Sequence, residues 1–275
     1  MRSATPTIGL SAWLALPMAV FTLAFLLLPI ARLVAASGET EAGWGLYLDV
    51  LSNPRYLQAL LDTVLVSLAV SLAALAVATT AALYLQPRRF YGRSALIGCL
   101  TFPLAFPGVV IGFLIILIGG RQGLANSIGR ELLGTRIVFA YSMVGLFLGY
   151  LYFSIPRVLL TVMAAAEKLD PALTEAARSL GASPFAVLRD VTLPGLAPAL
   201  AASGAIAFAT AMGAFGTAFT LATDIDVLPM VIYTEFTLSA NIATACALSV
   251  VLGAVTWVLL LIARRFSGGA VAAAG

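Results

Sequence analysis

Glu175-Ala176-Ala177-Arg178-Ser179-Leu180-Gly181, followed after nine residues by Val191-Thr192-Leu193-Pro194, is a polar stretch set between long apolar segments. Its grammar is that of two short helices. Asp170 is a good N-cap, Pro171 stands at the first helical position where its missing N–H costs nothing, and Gly181 is placed to stop the helix in a left-handed turn. This predicts a helix over Pro171 to Leu180. Ser183 then caps and Pro184 starts a second helix carrying Phe185, Val187, Leu188 and Val191, which Leu193-Pro194 is expected to end. Two helices on one glycine turn form a compact knob.

Around the knob, 61% of residues are apolar, 10% are charged and the mean hydropathy is +1.06. That is more hydrophobic material than a soluble domain of 275 residues can bury, so the chain is read as an all-α membrane protein. Windows of about 20 residues, enough to cross the hydrocarbon, fall near Trp13–Ala35, Leu60–Leu85, Ala95–Ile118, Ile137–Thr161, Leu196–Leu221 and Ala243–Ala263. About six transmembrane helices place both termini on one side, with the knob between spans four and five. The first window is too long for a cleaved signal peptide and is read as a retained helix. No solenoid repeat, linker or second soluble domain shows, so 1–275 is read as a single transmembrane domain with a short tail at 267–275.

Lys and Arg set the orientation. With the N-terminus inside, the inner segments hold Arg2, Arg88, Arg89, Arg93, Arg157, Lys168, Arg178, Arg189, Arg264 and Arg265; the outer ones hold Arg32, Arg55, Arg121, Arg130 and Arg136. The outer loops also collect Glu39, Glu41, Asp49, Glu131, Asp224, Asp226 and Glu235. The termini and the loop at about 166–195 are therefore expected in the cytoplasm. The net charge of +3 reads as a topology signal, and no nucleic-acid partner is expected: Arg157, Lys168, Arg178 and Arg189 are matched by Glu167, Asp170, Glu175 and Asp190.

Several chemistries are excluded. The chain has no His, and its only lysine, Lys168, follows Glu167, so a phosphate-cradling Gly-x4-Gly-Lys loop is absent. There is no His-Glu-x-x-His motif and no Gly-x-Ser-x-Gly elbow. Cys99 and Cys246 lie in apolar windows and are read as packing residues.

The knob resembles the permease subunits of binding-protein-dependent ABC importers, whose signature runs Glu-Ala-Ala, three residues, Gly, nine residues, Ile-x-Leu-Pro. Glu175, Ala176, Ala177, Gly181, Leu193 and Pro194 match in register, with Val191 where Ile is usual. The resemblance implies that the loop, with Pro184 and Phe185 on its second helix, is a coupling helix docking on a cytosolic ABC ATPase dimer. It also implies a second permease subunit, identical or homologous, a periplasmic or surface binding protein, and residence in the bacterial inner membrane. No catalytic residue, metal or cofactor is expected on this chain; ATP is bound and hydrolysed on the partner subunit. The alternative class is a transporter or channel acting without ATP.

The translocation pathway is expected along two segments. Pro103-Leu104-Ala105-Phe106-Pro107-Gly108 should break the third span, since each proline removes a helical hydrogen bond, and irregular backbone in lipid survives only where protein or a polar cavity satisfies it. The fifth span is rich in small residues around Thr210, Met212, Gly213 and Phe215, as close helix approach requires. Phe106, Pro107, Thr210, Met212, Gly213 and Phe215 are thus the pathway and gate candidates. For the solute, Glu167-Lys168-Leu169-Asp170 resembles the polyamine branch, while Gly213-Ala214-Phe215-Gly216-Thr217 is similar to runs in polyamine, ferric-iron, sulfate and aminoethylphosphonate permeases. The lean is to a polyamine.

Overall fold

The computed structural model describes residues 8–40, 43–221 and 225–266. Arg2, Glu41, Asp224 and the tail 267–275 lie outside them. The described elements are helical, and six helices are long and apolar enough to cross a membrane. In chain order the elements used below are α1 (Ala15–Ser37), α2 (Pro54–Leu85), α3 (Arg93–Thr101), α4 (Gly108–Gly119), α5 (Met143–Glu167), α6 (Pro171–Ser179), α7 (Pro184–Met212), α8 (Phe215–Leu221), α9 (Leu228–Thr237) and α10 (Ile242–Phe266). The described residues fall into two units, one drawn from within 8–57 and 232–251 and one from within 58–231 and 252–266.

In the larger unit the core is built from small and branched residues. Ala74, Ala78 and Ala82 of α2 pack with Val158, Leu159 and Val162 of α5 and Leu196 and Ala207 of α7. Alanine at these positions lets the backbones approach, which matters in lipid because there is no water to drive helices together. A second cluster joins Ile115, Leu146, Tyr150, Ala211, Ala218 and Leu221. In the smaller unit, none of the apolar window of α1 is buried, which suits a helix facing lipid or another subunit.

Three boundaries depart from the sequence reading, each for a local reason. The third span breaks at the two prolines as expected, but the crossing segment shifts forward to Gly108–Leu133, leaving Arg93–Ala105 as a shorter apolar helix. Phe106 and Pro107 are both extended, with ψ of 132° and 153°; at Phe106 the cause is Pro107, since a proline forces its predecessor out of the helical region, and Pro107 takes the extended conformation of an N-cap. The fifth span, expected unbroken to Leu221, ends at Met212 and restarts at Phe215. Gly213 terminates it, and the Ala214 carbonyl at the break accepts a hydrogen bond from the Tyr150 hydroxyl. The second knob helix does not end at Leu193-Pro194. Leu188–Thr192 form a π turn, and Pro194 lies in the first turn of the following helix, where its missing N–H is harmless. The knob therefore runs straight into the fifth span as one rod.

Two further expectations change. Glu235, read as a solvated outer-loop carboxylate, is 6% exposed; within the smaller unit it accepts a hydrogen bond from the Tyr56 hydroxyl at 3.1 Å and lies 3.8 Å from Arg55. A carboxylate on a helix can turn inward when a hydroxyl and a guanidinium meet it. Cys99 lies exposed on α3, whereas Cys246 is half-buried.

Candidate functional site

The knob forms as its caps dictate. The Asp170 carboxylate accepts from the Ala172 amide at 2.9 Å, and the Ser183 hydroxyl accepts from the Ala186 amide at 3.2 Å. Between them Gly181 has φ +82°, and the amides of Leu180, Gly181 and Ala182 donate to the carbonyls of Ala176, Arg178 and Ala177, closing the end of α6. The knob's surface is unlike a solvated loop. Leu173, Leu180 and Phe185 are 57%, 89% and 70% exposed. Glu175, Ala176, Gly181, Pro184, Leu193 and Pro194 are also exposed, and Ala177 is half-buried. Beside them a cleft of about 540 Å³ at the end of α2 is lined by Gln86, Glu167, Asp170, Thr174, Glu175 and Arg178 among others. The Glu175 side chain has no ion-pair partner among the described residues. Apolar side chains around an unpaired carboxylate, all facing out, are the make-up of a protein-docking surface.

The knob's second helix and the fifth span are continuous as α7 through Met212. It is held at its base by close packing: a Cβ at Gly195 would sit 2.7 Å from Leu169 Cδ2.

At the far end of this rod an open cavity of about 290 Å³ lies where α4, α5, α7 and α8 meet. Its wall includes Phe106, Gly108, Phe153, Arg157, Thr210 and Gly213. Both breaks open onto it, the proline break beside Phe106 and the glycine break at Gly213. Of the pathway candidates, Phe106, Thr210 and Gly213 line the cavity. Pro107 is exposed beside it, Met212 is 1% exposed within the core, and Phe215 is half-buried with its ring tilted 35° to that of Phe219, the centroids 5.3 Å apart.

Arg157 was counted above as an inner-loop cation, and its position corrects that. It lies inside α5, about 15 Å along the axis from Glu167 and about 21 Å from Met143 at 1.5 Å per residue. Its guanidinium donates to the Thr210 hydroxyl at 2.8 Å, and that hydroxyl donates to the Ile206 carbonyl at 2.7 Å. A cation at such depth costs about 2.5–3.5 kcal/mol on insertion scales, and it faces a cavity for that reason. The signal was available: Arg157 falls within the apolar window Ile137–Thr161, where a charge is a functional candidate by default.

Six helices long and apolar enough to cross a membrane, an exposed knob and a cavity between broken helices are features that suit a membrane transport component. The chain belongs to the family described as binding-protein-dependent transport system inner membrane component, whose sequence profile matches residues 74–268. Its relatives include the sulfate transport system permease protein CysT of Salmonella typhimurium, 32% identical over 206 residues, covering 75% of this chain and 73% of the relative. They also include the molybdenum transport system permease protein ModB of Escherichia coli K12, 31% identical over 219 residues, covering 78% and 94%. A solved bacterial alginate ABC transporter, in complex with its alginate pentasaccharide-bound periplasmic protein, has a chain of the same fold: TM-score 0.82, 20% identity, covering 94% of this chain and 93% of that one. The chain is thus a multi-pass inner-membrane permease of an ABC importer, a transport component whose family works with a binding protein and a separate ATPase.

Proposed function

We propose that this chain forms half of a translocation pathway for a small hydrophilic solute, paired with a second permease subunit and driven by an ATPase dimer docked on the knob. The observation that carries this reading is the knob itself, an exposed apolar surface around Glu175 that is continuous with α7 and so with the cavity. Closure of the ATPase pair would move the rod, and the rod's upper end lines the cavity. Both termini and the knob are cytoplasmic in this reading. Six spans are too few to enclose a path, so a copy or paralogue supplies the opposite wall. The polyamine lean draws no support from the cavity, where the charged lining residue is a cation.

The test is co-purification. The wild-type chain should recover an ATPase subunit, and Glu175→Ala should weaken that recovery, because a charge-assisted contact is worth about 1.5–3 kcal/mol. A wild-type chain that purifies without an ATPase and still moves solute would make it a stand-alone transporter.

A further inference from the structure

We propose that the Arg157–Thr210 corner of the cavity is a transient site for an oxyanion, so that the solute passing through this subunit is anionic. The proposal rests on the reading of the cavity as part of the pathway.

The electrostatics of the corner are one-sided. Arg157 is half-buried within the span and lines the cavity with Thr210, Gly213 and Phe153. Its recorded hydrogen bond goes to Thr210, yet a guanidinium carries five N–H donors in a planar fork. No Asp or Glu lines the cavity, and no carboxylate lies within 4.0 Å of Arg157 among the described residues. A guanidinium fixed by a hydroxyl, with donors to spare and no counter-charge, is arranged to receive carboxylate, sulfate or phosphate oxygens in bidentate fashion. The helix α4 starts at Gly108 on the same wall, where the positive end of its dipole favours an anion, while α7 ends there at Met212 with its negative end, so the full charge of the guanidinium decides the sign of the field. A polycation entering here would be repelled, and the low-dielectric walls would strengthen that repulsion. With one guanidinium and a cavity at the lower end of the ligand-pocket range of roughly 300–1,000 Å³, holding would be brief, as a pathway requires.

Gly213 offers a reporter position. It has φ −96°, open to any residue, and a Cβ there would meet only the Ala209 carbonyl at 3.8 Å. In a chain carrying Cys99→Ala and Cys246→Ala, the thiol introduced by Gly213→Cys can be titrated with a sulfonate-bearing and a trimethylammonium-bearing methanethiosulfonate of similar size. The anionic reagent should react about tenfold faster relative to the two reagents' rates on a free thiol, Arg157→Lys should keep that preference, and Arg157→Gln should abolish it. Sulfate should slow the reaction in the chain that retains Arg157, and spermidine should not. Equal rates for the two reagents, protection by spermidine instead of sulfate, or no reaction with either would overturn the proposal. Because the sulfate measurement needs no substitution at Arg157, a folding failure of Arg157→Gln leaves the test intact. ATPase recovery, measured on the same preparation, bears on the permease reading alone, so the two can fail separately.

Discussion

The Thr217 hydroxyl donates to the Gly108 carbonyl at 2.9 Å, joining the first turn of α4 to α8. Both helices begin at a break, and the bond ties the two breaks together. The approach is close: a Cβ at Gly108 would lie 3.0 Å from Thr217 Oγ1, and one at Gly112 would lie 2.6 Å from Thr220 Cβ. Thr220 repeats the contact one turn later, donating to the Val109 carbonyl at 3.3 Å and to the Gly216 carbonyl at 2.8 Å. The close approach of α4 and α8 beside the cavity is therefore reinforced by hydroxyls of α8 that donate to first-turn carbonyls of α4.

Replacing Thr217 by Val keeps the shape and deletes the bond, leaving the half-buried Gly108 carbonyl with its helical partner alone. A loss of about 0.5–1.5 kcal/mol is expected, visible as a lower melting temperature of the purified chain in detergent. Gly112→Leu should be worse, because its side chain would have to displace Thr220. A Thr217→Val chain that melts with the wild type would show that the two breaks are not coupled through this contact.

Gly181 tests the knob by conformation alone. Its φ of +82° strains an L residue by about 1–2 kcal/mol, and no atom lies within 4 Å of a Cβ placed there. Gly181→Val should insert normally yet recover less ATPase and transport poorly, while Gly181→Asn, which tolerates the left-handed region, should stay near wild type. Equal behaviour of the two variants would mean that the turn does not orient the second helix.

How much of this was legible depends on the range of the physics. Caps and turns are local, so Asp170, Pro171, Gly181, Ser183 and Pro184 announced the knob residue by residue, and Pro103 and Pro107 announced the first break. The break at Gly213 was not legible: a lone glycine in a small-residue run also fits a packing seam, and what distinguishes it is the Tyr150 hydroxyl on another helix reaching the Ala214 carbonyl. Met212 illustrates the same limit: Thr210 and Gly213, three residues apart, share the side that lines the cavity while Met212 turns into the core, and only tertiary packing decides which side meets the cavity. The continuity of the knob with the fifth span was hidden by Pro194, which reads as a stop unless the preceding turn widens to accommodate it.

Orientation is open to a direct check. Lys/Arg asymmetry holds without Arg157, and it supports the proposal that the knob faces the cytoplasm. On a background lacking Cys99 and Cys246, the thiol introduced by Ser183→Cys should resist an impermeant maleimide in intact cells and react after permeabilisation. Ser183 is exposed in the structure, so burial would not explain protection. Labelling from outside would invert the topology and remove the knob from any cytosolic ATPase.

Gly213 separates transport from assembly. It is exposed on the cavity wall with room for a side chain, so Gly213→Leu should fold, and its isobutyl group should project beside Thr210 and Arg157 into a space of about 290 Å³. Leucine there narrows the cavity and shields the guanidinium, so uptake by the assembled importer should fall at least about tenfold, the equivalent of roughly 1.4 kcal/mol in the barrier. The knob lies at the other end of α7, about 1.5 Å per residue away along the span from Leu193 to Met212. ATPase recovery should therefore match wild type. Gly213→Ala, adding one methyl group, should fall between the two in uptake. If Gly213→Leu transports at the wild-type rate, the solute does not pass this wall; if it loses the ATPase as well as uptake, the glycine serves the packing of α7 and the pathway must run along another face.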